Sequence, residues 1–391
     1  MISDADRVAT ATLLRVCEPG SLGLSRHVRK VGVAQALADI QAGAQIPDVE
    51  AEGLRHRLAT ASGERDLLTA AAVGARLLCP GDDEWPTALG DLRHRDLDCF
   101  GLWVRGRLRL AEATERSVAV VGTRAATDYG VHVAHDLGVG LAERGWSVVS
   151  GLAFGIDAAA HRGALAAEGT TVAVLACGVD VPYPPGNRSL YERIADEGLV
   201  LSEHPPGAAP QRHRFLVRNR VIAALALGTV VVEMAPRSGA KSTAVHAAYL
   251  NRYVMAVPGP VTSAMSVGCH QFMRERPDVV LVTKADEVIE MCGHLGELAE
   301  QPTGQVRARD LLGPVVGRVF EGVPVQRPAE VSGIATAAAV SARAAAAALA
   351  ALESQGLVER VGEGLWVMTA LGRKDRRAHR AVQQQQELDW W

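Results

Sequence analysis

The chain has 391 residues, enough for two or three domains, and its 48% hydrophobic and 22% charged residues are typical of a globular protein. A formal net charge of −3 excludes a polycation of the histone type. It does not exclude a local basic groove, because phosphate responds to the distribution of charge and not to its sum.

The six cysteines lie far apart and form no C-x-x-C pair, so the sequence predicts no zinc framework and no other metal site. Scattered, unpaired thiols are typical of a reducing compartment. The longest apolar stretch, residues 221–232, is too short to cross a bilayer, and the acidic start is unlike a signal sequence. We therefore expect a cytoplasmic protein without a membrane segment.

Five segments follow one another along the chain. Periodic apolar positions predict an N-terminal helical domain in residues 1–75, and β-rich runs alternating with helical patterns predict an α/β domain in residues 76–292. Residues 293–307 are expected to form a linker. Residues 308–372 have the pattern of three helices and a hairpin, as in a winged helix, and the Gln-rich residues 373–391 are predicted to be a flexible tail.

The α/β segment contains seven apolar runs, which we predict to be strands: SVAVVG, WSVVSG, TTVAVLAC, GLVLSE, GTVVVEM, YVMAVPG and DVVLVT. Nearly continuous Val and Leu strands that alternate with helices are typical of a parallel sheet covered on both faces. The predicted fold class is therefore α/β, with a Rossmann-like, mostly parallel sheet as its core. Such sheets bind ligands at the carboxyl ends of their strands.

The loop after the first of these strands, VVGTRAATDYG, contains Gly122, Thr123 and Arg124. Glycine permits a tight turn, the free amides before the next helix form an anion site, and arginine can hold phosphate with two hydrogen bonds. The G-x-G-x-x-G fingerprint of dinucleotide sites is not met. A purely structural role for this loop stays open.

The loop after the second strand, VVSGLAFGIDAAAH, brings backbone close to any ligand above the sheet through Ser150, Gly151 and Gly155. Asp157 and His161 are four residues apart and could form an acid–base pair on one helix face. We favour the simpler interpretation, in which Asp157 caps the helix and His161 is a satisfied neighbour, because no nucleophile accompanies them.

Two further loops carry polar and aromatic candidates. In CGVDVPYPPGNRS, prolines flank Tyr183, which could stack on a base or belong to the edge of the core, and Asn187 follows. In VEMAPRSGAKSTA, the amides, hydroxyls and ammonium at a helix start have phosphate-binding chemistry. The residues concerned are Ser238, Gly239, Lys241, Ser242 and Thr243. The Walker A pattern fails here, so ATP hydrolysis is not predicted.

The segment QRHRFLVRNRVIAAL places several arginines where a helix is expected to begin, near residue 216. Cations are unfavourable at the positive end of a helix unless an anion is bound there, which points to a functional site. Arg218 and Arg220 would lie about 200° apart on a helix. We therefore predict that residues 216–219 are non-helical, that Arg218 contacts phosphate, and that Arg220 lies beside it or binds an acid such as Glu233.

These loops, in this order, resemble the DNA-processing protein A (DprA/Smf) family over residues 75–291. The helical start, which is SAM/HhH-like, and the winged-helix end resemble flanking domains of members. The resemblance implies a homodimer that binds and protects single-stranded DNA and helps to load the recombinase RecA in DNA uptake and recombination. It implies DNA contacts by Arg124, Ser150, Gly151, Arg218, Asn219, Arg220 and the loop that contains Lys241. We add Gly122, Thr123, Phe154, Gly155 and Asn187 to these candidates.

The sequence departs from the family pattern at two positions, and two alternative assignments of function stay open. Phe154 and Pro185 replace basic residues that members usually carry, and Phe154 could stack on a base instead. A nucleotide phosphoribohydrolase on a related fold is the alternative function, with Glu233 as its acid. The C-terminal module could also be the DNA reader, although its third helix offers only Arg343. We predict no catalytic residue and no cofactor.

Overall fold

The computed structural model describes residues 2–47, 49, 51–236, 238–293, 312–362, 364–374 and 376. The chain divides into two compact units, Met1–Leu298 and Ala299–Trp391. None of the described helices is by itself long and apolar enough to cross a membrane. One bent pair, Val331–Ala337 with Ala342–Ser354, satisfies the criteria of length and composition only when its members are taken together.

Five helices open the first unit: α1 (Asp4–Val16), α2 (Leu22–Val31), α3 (Val33–Gln41), α4 (Ala51–Leu58) and α5 (Gly63–Ala72). Serine side chains cap α1, α2 and α5, each accepting a hydrogen bond from an amide in the first turn. The apolar sides of these helices share one core with Trp103, which is fully buried. The helical region is therefore packed onto the edge of the sheet and does not stand alone.

Nine strands form the sheet: β1 (Ala75–Leu78), β2 (Leu102–Arg105), β3 (Ser117–Val121), β4 (Ser147–Ser150), β5 (Thr171–Leu175), β6 (Leu199–Ser202), β7 (Gly228–Val231), β8 (Tyr253–Ala256) and β9 (Val279–Leu281). Their order is β1-β2-β6-β5-β4-β3-β7-β8-β9. Strands β3 to β9 pair in parallel, and β1 and β2 pair antiparallel at one edge. The seven predicted strands and the α/β fold class are confirmed.

Eight helices connect or flank these strands: α6 (Leu110–Glu115), α7 (Asp128–Glu143), α8 (Ile156–Ala166), α9 (Arg188–Glu197), α10 (Arg212–Leu225), α11 (Ala240–Tyr249), α12 (Val267–Glu275) and α13 (Ala285–Cys292). Short 3₁₀ helices span Thr87–Arg95 and Pro185–Asn187. Alternate residues of β3 enter different cores: Ala119 and Val121 pack with α10 and α11, whereas Val118 and Val120 pack with α7 and α8. The sheet is covered on both faces, as its apolar strands predict.

The second unit contains α14 (Pro314–Gly322), β10 (Ala329–Glu330), α15 (Val331–Ala337), α16 (Ala342–Ser354), β11 (Val358–Val361) and β12 (Leu365–Met368). Three helices with a small antiparallel sheet match the predicted winged-helix arrangement. The predicted linker lies outside the described residues except for Gly293, and so does most of the predicted tail. Arg376, in that tail, is buried and donates to the carbonyl of Val323, so the tail is not wholly free. The exact domain boundaries stay predictions.

Candidate nucleic-acid interface

A cavity of about 400 Å³ opens at the carboxyl ends of β3 and β7. The chain runs outward from β3 to β4, β5 and β6 on one side and from β7 to β8 and β9 on the other. Ligands of doubly wound folds bind at this point of reversal. Its lining includes the candidates Gly122, Thr123, Arg124, Arg218, Asn219, Ser238, Gly239 and Thr243. The structure thus brings half of the predicted site residues together around one cavity.

The loop after β3 forms one wall. An ideal Cβ on Gly122 would lie 2.5 Å from the Ile156 side chain, so only glycine fits this turn. The amide of Thr123 donates to the carbonyl of Glu233 at 2.8 Å, which ties the loop to the end of β7. Arg124 is exposed at the mouth, with its guanidinium carbon 4.9 Å from the centre of the Phe215 ring. This wall presents a cation stacked on an aromatic ring.

The loop after β4 supports the cavity from below. Asp157 accepts hydrogen bonds from the amides of Gly151 (3.1 Å) and Ala153 (3.4 Å), and burial raises the pKa of its carboxyl group. Gly155, at φ +76°, passes close to the carbonyl of Thr123. The Ser150 hydroxyl donates to the carbonyl of Val120 at 2.6 Å and is fully buried, so its side chain holds strands together and does not reach the cavity.

Arg218 is the central cation of the site. Its side chain is buried, and its guanidinium donates to the carbonyls of Gly151 and Val174 and lines the cavity. In the described part of the chain it forms no ion pair, and burial lowers its pKa to about 10. An ideal Cβ on Gly151 would lie 2.4 Å from the guanidinium, so this glycine makes room for it. The nearby carboxyl group of Asp157 favours the charged form of Arg218, but no carboxylate among the described residues pairs with the guanidinium directly, so an incoming anion can still bind it.

Of the two roles predicted for Arg220, the structure agrees with the anchor and not with the phosphate contact. Arg220 is 1% exposed and forms a two-pronged ion pair at 2.5 and 2.7 Å, with Glu203 and not Glu233 as the acid, so it is not available to phosphate. The predicted non-helical segment 216–219 is also wrong, because α10 begins at Arg212 and includes it. On this helix Arg218 and Arg220 point to opposite sides, as the turn of 100° per residue requires.

The start of α11 forms the remaining wall. The Ser238 hydroxyl accepts from the amide of Ala240 at 3.3 Å, and the Asn219 amide group donates to the carbonyl of Gly239 at 3.3 Å. Lys241 and Ser242 do not line the cavity. The ammonium of Lys241 lies on the surface, 3.5 Å from a carboxylate oxygen of Glu275. Lys241 can therefore act on a ligand only outside the cavity.

Aromatic side chains continue the rim. Phe215, which the sequence analysis did not select, stacks at a tilt on Tyr183, with ring centres 5.6 Å apart. Its position within a run of cationic side chains is the sequence signal that could have identified Phe215 as a site residue. Asn187 is buried and donates to the carbonyl of Leu152 at 3.0 Å, so it shapes the loop and does not face the cavity.

The N-terminal helices contribute an unpredicted acid beside the site. Glu18, just after α1, binds Arg214 through both carboxylate oxygens at 2.5 and 3.0 Å and lies 3.4 Å from His213. Arg214 stands in the first turn of α10. Glu18 thus supplies the negative charge that the positive end of this helix lacks in its own sequence.

The structure provides no evidence for an acid–base pair. His161 is fully buried and hydrogen-bonds to the Thr171 hydroxyl at 2.6 Å, and burial lowers its pKa to about 3. Glu233 is also buried, and both its oxygens are held by Thr127, at 2.6 and 2.9 Å. No group of three or more metal-ligating side chains occurs within the ranges that the structure describes.

Comparison with known proteins agrees with this geometry. The sequence model of the family described as DNA recombination-mediator protein A matches residues 76–293, more than half of the chain. The chain belongs to the DprA/Smf family. The predicted resemblance is confirmed, and the DprA/Smf match includes all but the first residue of the sheet and every residue that lines the cavity.

Individual relatives extend the DprA/Smf match. A Mycobacterium tuberculosis protein that carries the name DNA processing protein DprA is 45% identical over 374 residues, covering 93% of this chain and 95% of the relative. DprA of Streptococcus pneumoniae is 41% identical over 208 residues, or 53% of this chain and 71% of the relative. The X-ray structure of the S. pneumoniae protein superimposes with a TM-score of 0.61 at 28% identity, covering 75% of this chain and all of that one.

Phe154, one of the predicted departures from the DprA/Smf pattern, lies on the surface. Its side chain is 48% exposed, and its ring lies 3.0 Å from the position that a Cβ on Gly186 would take. Because Gly186 has no side chain, the ring stays uncovered beside the loop that carries Tyr183. The surface next to the cavity therefore offers an aromatic face where the resemblance to the family predicts a cation.

Proposed function

We propose that this chain binds single-stranded DNA at the cavity between β3 and β7 and performs no chemistry on it. The observation that carries the proposal is Arg218, a buried guanidinium that faces the cavity and forms no direct ion pair in the described residues. The carboxyl group of Asp157, which lines the same cavity, stabilises its charge only in part. A phosphate would supply the missing charge with strong, charge-assisted hydrogen bonds. Membership of a DNA-processing family supports the same ligand class.

A single strand suits this site better than a duplex. Phe215 lies between Arg124 and Tyr183 at the rim and can stack on an unpaired base. Bases inside a duplex are already stacked on one another and cannot enter a cavity of about 400 Å³. The rest of the wall combines the polar side chains of Thr123, Asn219, Ser238 and Thr243 with apolar side chains such as Leu216 and Ile222 and the carboxyl group of Asp157. Contacts of the polar groups to phosphate would not select a base. We therefore expect little sequence preference.

The phosphoribohydrolase alternative receives no support from the geometry. Its acid, Glu233, is 0% exposed, and both of its carboxylate oxygens accept hydrogen bonds from Thr127. We further propose that the chain forms a homodimer, delivers the strand to RecA during DNA uptake and recombination, and is located in the cytoplasm. These follow from the family resemblance.

Fluorescence anisotropy with matched single-stranded and duplex oligonucleotides tests the proposal. We expect tighter binding of the single strand, with a log–log salt slope of about −0.7 for each phosphate neutralised. Arg218→Ala should weaken binding, whereas Arg193→Ala, which removes an exposed cation paired with Glu197, should not. Equal affinity for both DNA forms, or no response to salt, would contradict the assignment.

A second measurement tests the absence of chemistry. Purified protein incubated with Mg²⁺ and either ATP, a nucleoside monophosphate or DNA should release no phosphate, no free base and no fragments. Turnover by the wild type that is lost in Glu233→Gln or Lys241→Ala would contradict the proposal and identify the responsible group.

A further inference from the structure

A second basic and aromatic surface lies at the opposite end of α11. This helix starts at the cavity with Ala240 and ends at Tyr249, about 15 Å away at 1.5 Å per residue. There the turn after α11 meets the last turn of the 3₁₀ helix Thr87–Arg95 and encloses a depression of about 500 Å³. We call Arg93, His94, Arg95, Tyr249 and Arg252 the distal patch.

Arg95 and Tyr249 form the centre of the distal patch. The guanidinium carbon of Arg95 lies 4.9 Å from the centre of the Tyr249 ring, although the tyrosine side chain remains 54% exposed. Arg95 is itself exposed and, in the described part of the chain, has no carboxylate partner. The exposed ring of Tyr249 can stack on a base, and the guanidinium of Arg95 beside it can bind a phosphate.

The neighbouring cations are only partly neutralised. Arg93 is 62% exposed and approaches Asp98 no closer than 3.5 Å. Arg252 pairs with Asp91 at 2.8 Å, but its Nε is buried and lacks a hydrogen-bond partner. A basic face that is merely solvated would not require an exposed aromatic ring held against an exposed guanidinium, as Tyr249 and Arg95 are here.

We propose that the distal patch is a second contact for single-stranded DNA, occupied by nucleotides beyond those in the cavity. This inference rests on the proposed function, since it assigns the continuation of the same strand. Its chemistry is that of non-specific single-strand sites, which combine cations along the backbone with aromatic rings that stack on bases. Lys241 and Tyr249 both lie on α11, at its start and its end, so the helix joins the two contacts.

Binding of two oligonucleotides of different length tests the proposal. A strand of about 2–3 nucleotides, at roughly 3.4 Å per nucleotide, is too short to span from the cavity to the distal patch and should bind the cavity alone, whereas one of about 25 should reach both contacts. Tyr249→Ala should weaken binding of the long strand about tenfold and leave the short strand unchanged. Arg95→Ala should also reduce the salt slope for the long strand by about 0.7.

Two further variants sharpen the test. Asp91→Asn removes the acid that occupies Arg252 and should tighten binding of the long strand. Arg193→Ala, on the other face of the sheet, is the control and should affect neither strand. Equal losses for both strands, losses no larger than the control shows, or an altered molecular mass for Tyr249→Ala, which would indicate a subunit interface, each overturn the proposal.

The same titrations separate the two assignments. If Arg218→Ala leaves binding unchanged while Tyr249→Ala weakens it, the cavity assignment fails and the distal patch stands. If only Arg218→Ala weakens binding, the distal patch fails and the cavity stands. A wild-type protein that binds neither strand overturns both.

Discussion

The two sides of α10 put the same residue type to opposite uses. Arg218 faces the cavity, where it donates to backbone carbonyls and lacks an ion-pair partner within the described ranges. Arg220 faces the other way and is locked onto Glu203. Both are buried and they stand two residues apart, so burial alone does not identify a binding residue. What distinguishes them is that the fold supplies a direct ion-pair partner to Arg220 and only a more distant carboxyl group, that of Asp157, to Arg218.

Arg220→Ala should show the largest effect in this comparison, and it should be on stability. Removing one partner of a buried ion pair leaves the other charge uncompensated, so we expect the free energy of unfolding to fall by about 3–5 kcal/mol. Urea unfolding followed by circular dichroism measures it. A double replacement, Arg220→Met with Glu203→Leu, should recover most of the loss, because no charge is then left buried. A stable single mutant would mean that the pair is dispensable.

Arg218→Ala should have its main effect on binding. Loss of a hydrogen bond to a charged group should weaken single-strand affinity by about 1.5–3 kcal/mol, measured by anisotropy. Circular dichroism should show that the variant is folded. Arg218→Lys should not restore full affinity, since an ammonium lacks the planar fork of the guanidinium. Unchanged affinity in a folded variant would remove α10 from the site.

Phe215→Ala should have an intermediate effect on the same side of α10. Loss of one stacking surface should cost about 1–2 kcal/mol of affinity for the single strand. Phe215→Tyr, which keeps the ring, is the matched control and should bind almost normally. If both variants lose affinity equally, the ring does not stack on a base.

Glu18→Gln should show the smallest change, and in the opposite direction. The substitution frees Arg214 from its carboxylate partner, so the salt slope for single strands should steepen by up to about 0.7 and affinity at low salt should rise. Glu192→Gln, an exposed acid on α9, controls for the change in net charge. A weaker complex would show that Glu18 acts by positioning α10 and not by neutralising it.

The sequence predicted the parallel sheet and the convergence of its loops well. Continuous Val and Leu strands such as β3 and β5 leave few alternatives, and loops after parallel strands must meet at one edge. The start of α10 was misjudged because Gln211 provides no side-chain cap and the first turn contains Arg212 and Arg214 without an acid. The missing acid, Glu18, comes from a distant part of the chain, and local patterns cannot reveal it.

The partner of Arg220 was not predictable for the same reason. Helical geometry implied that Arg218 and Arg220 point to opposite sides, but the sequence alone could not identify Glu203 as the ion-pair partner of Arg220. Phe215 and Tyr183 illustrate the other limit, because their contact depends on the packing of two loops that are remote in sequence. The assignment of individual DNA contacts stays a prediction.

The contact between Glu18 and Arg214 also has a consequence for the order of synthesis. The two residues are separated by 196 positions. At about 5–20 residues per second, a ribosome needs roughly 10–40 s to make the second after the first. Helices α2–α5 are completed during that interval, while α10, onto which Glu18 docks, does not yet exist. The N-terminal helices must therefore persist for a time without this partner, and the rim of the cavity is completed only after strands β1–β6 have been made.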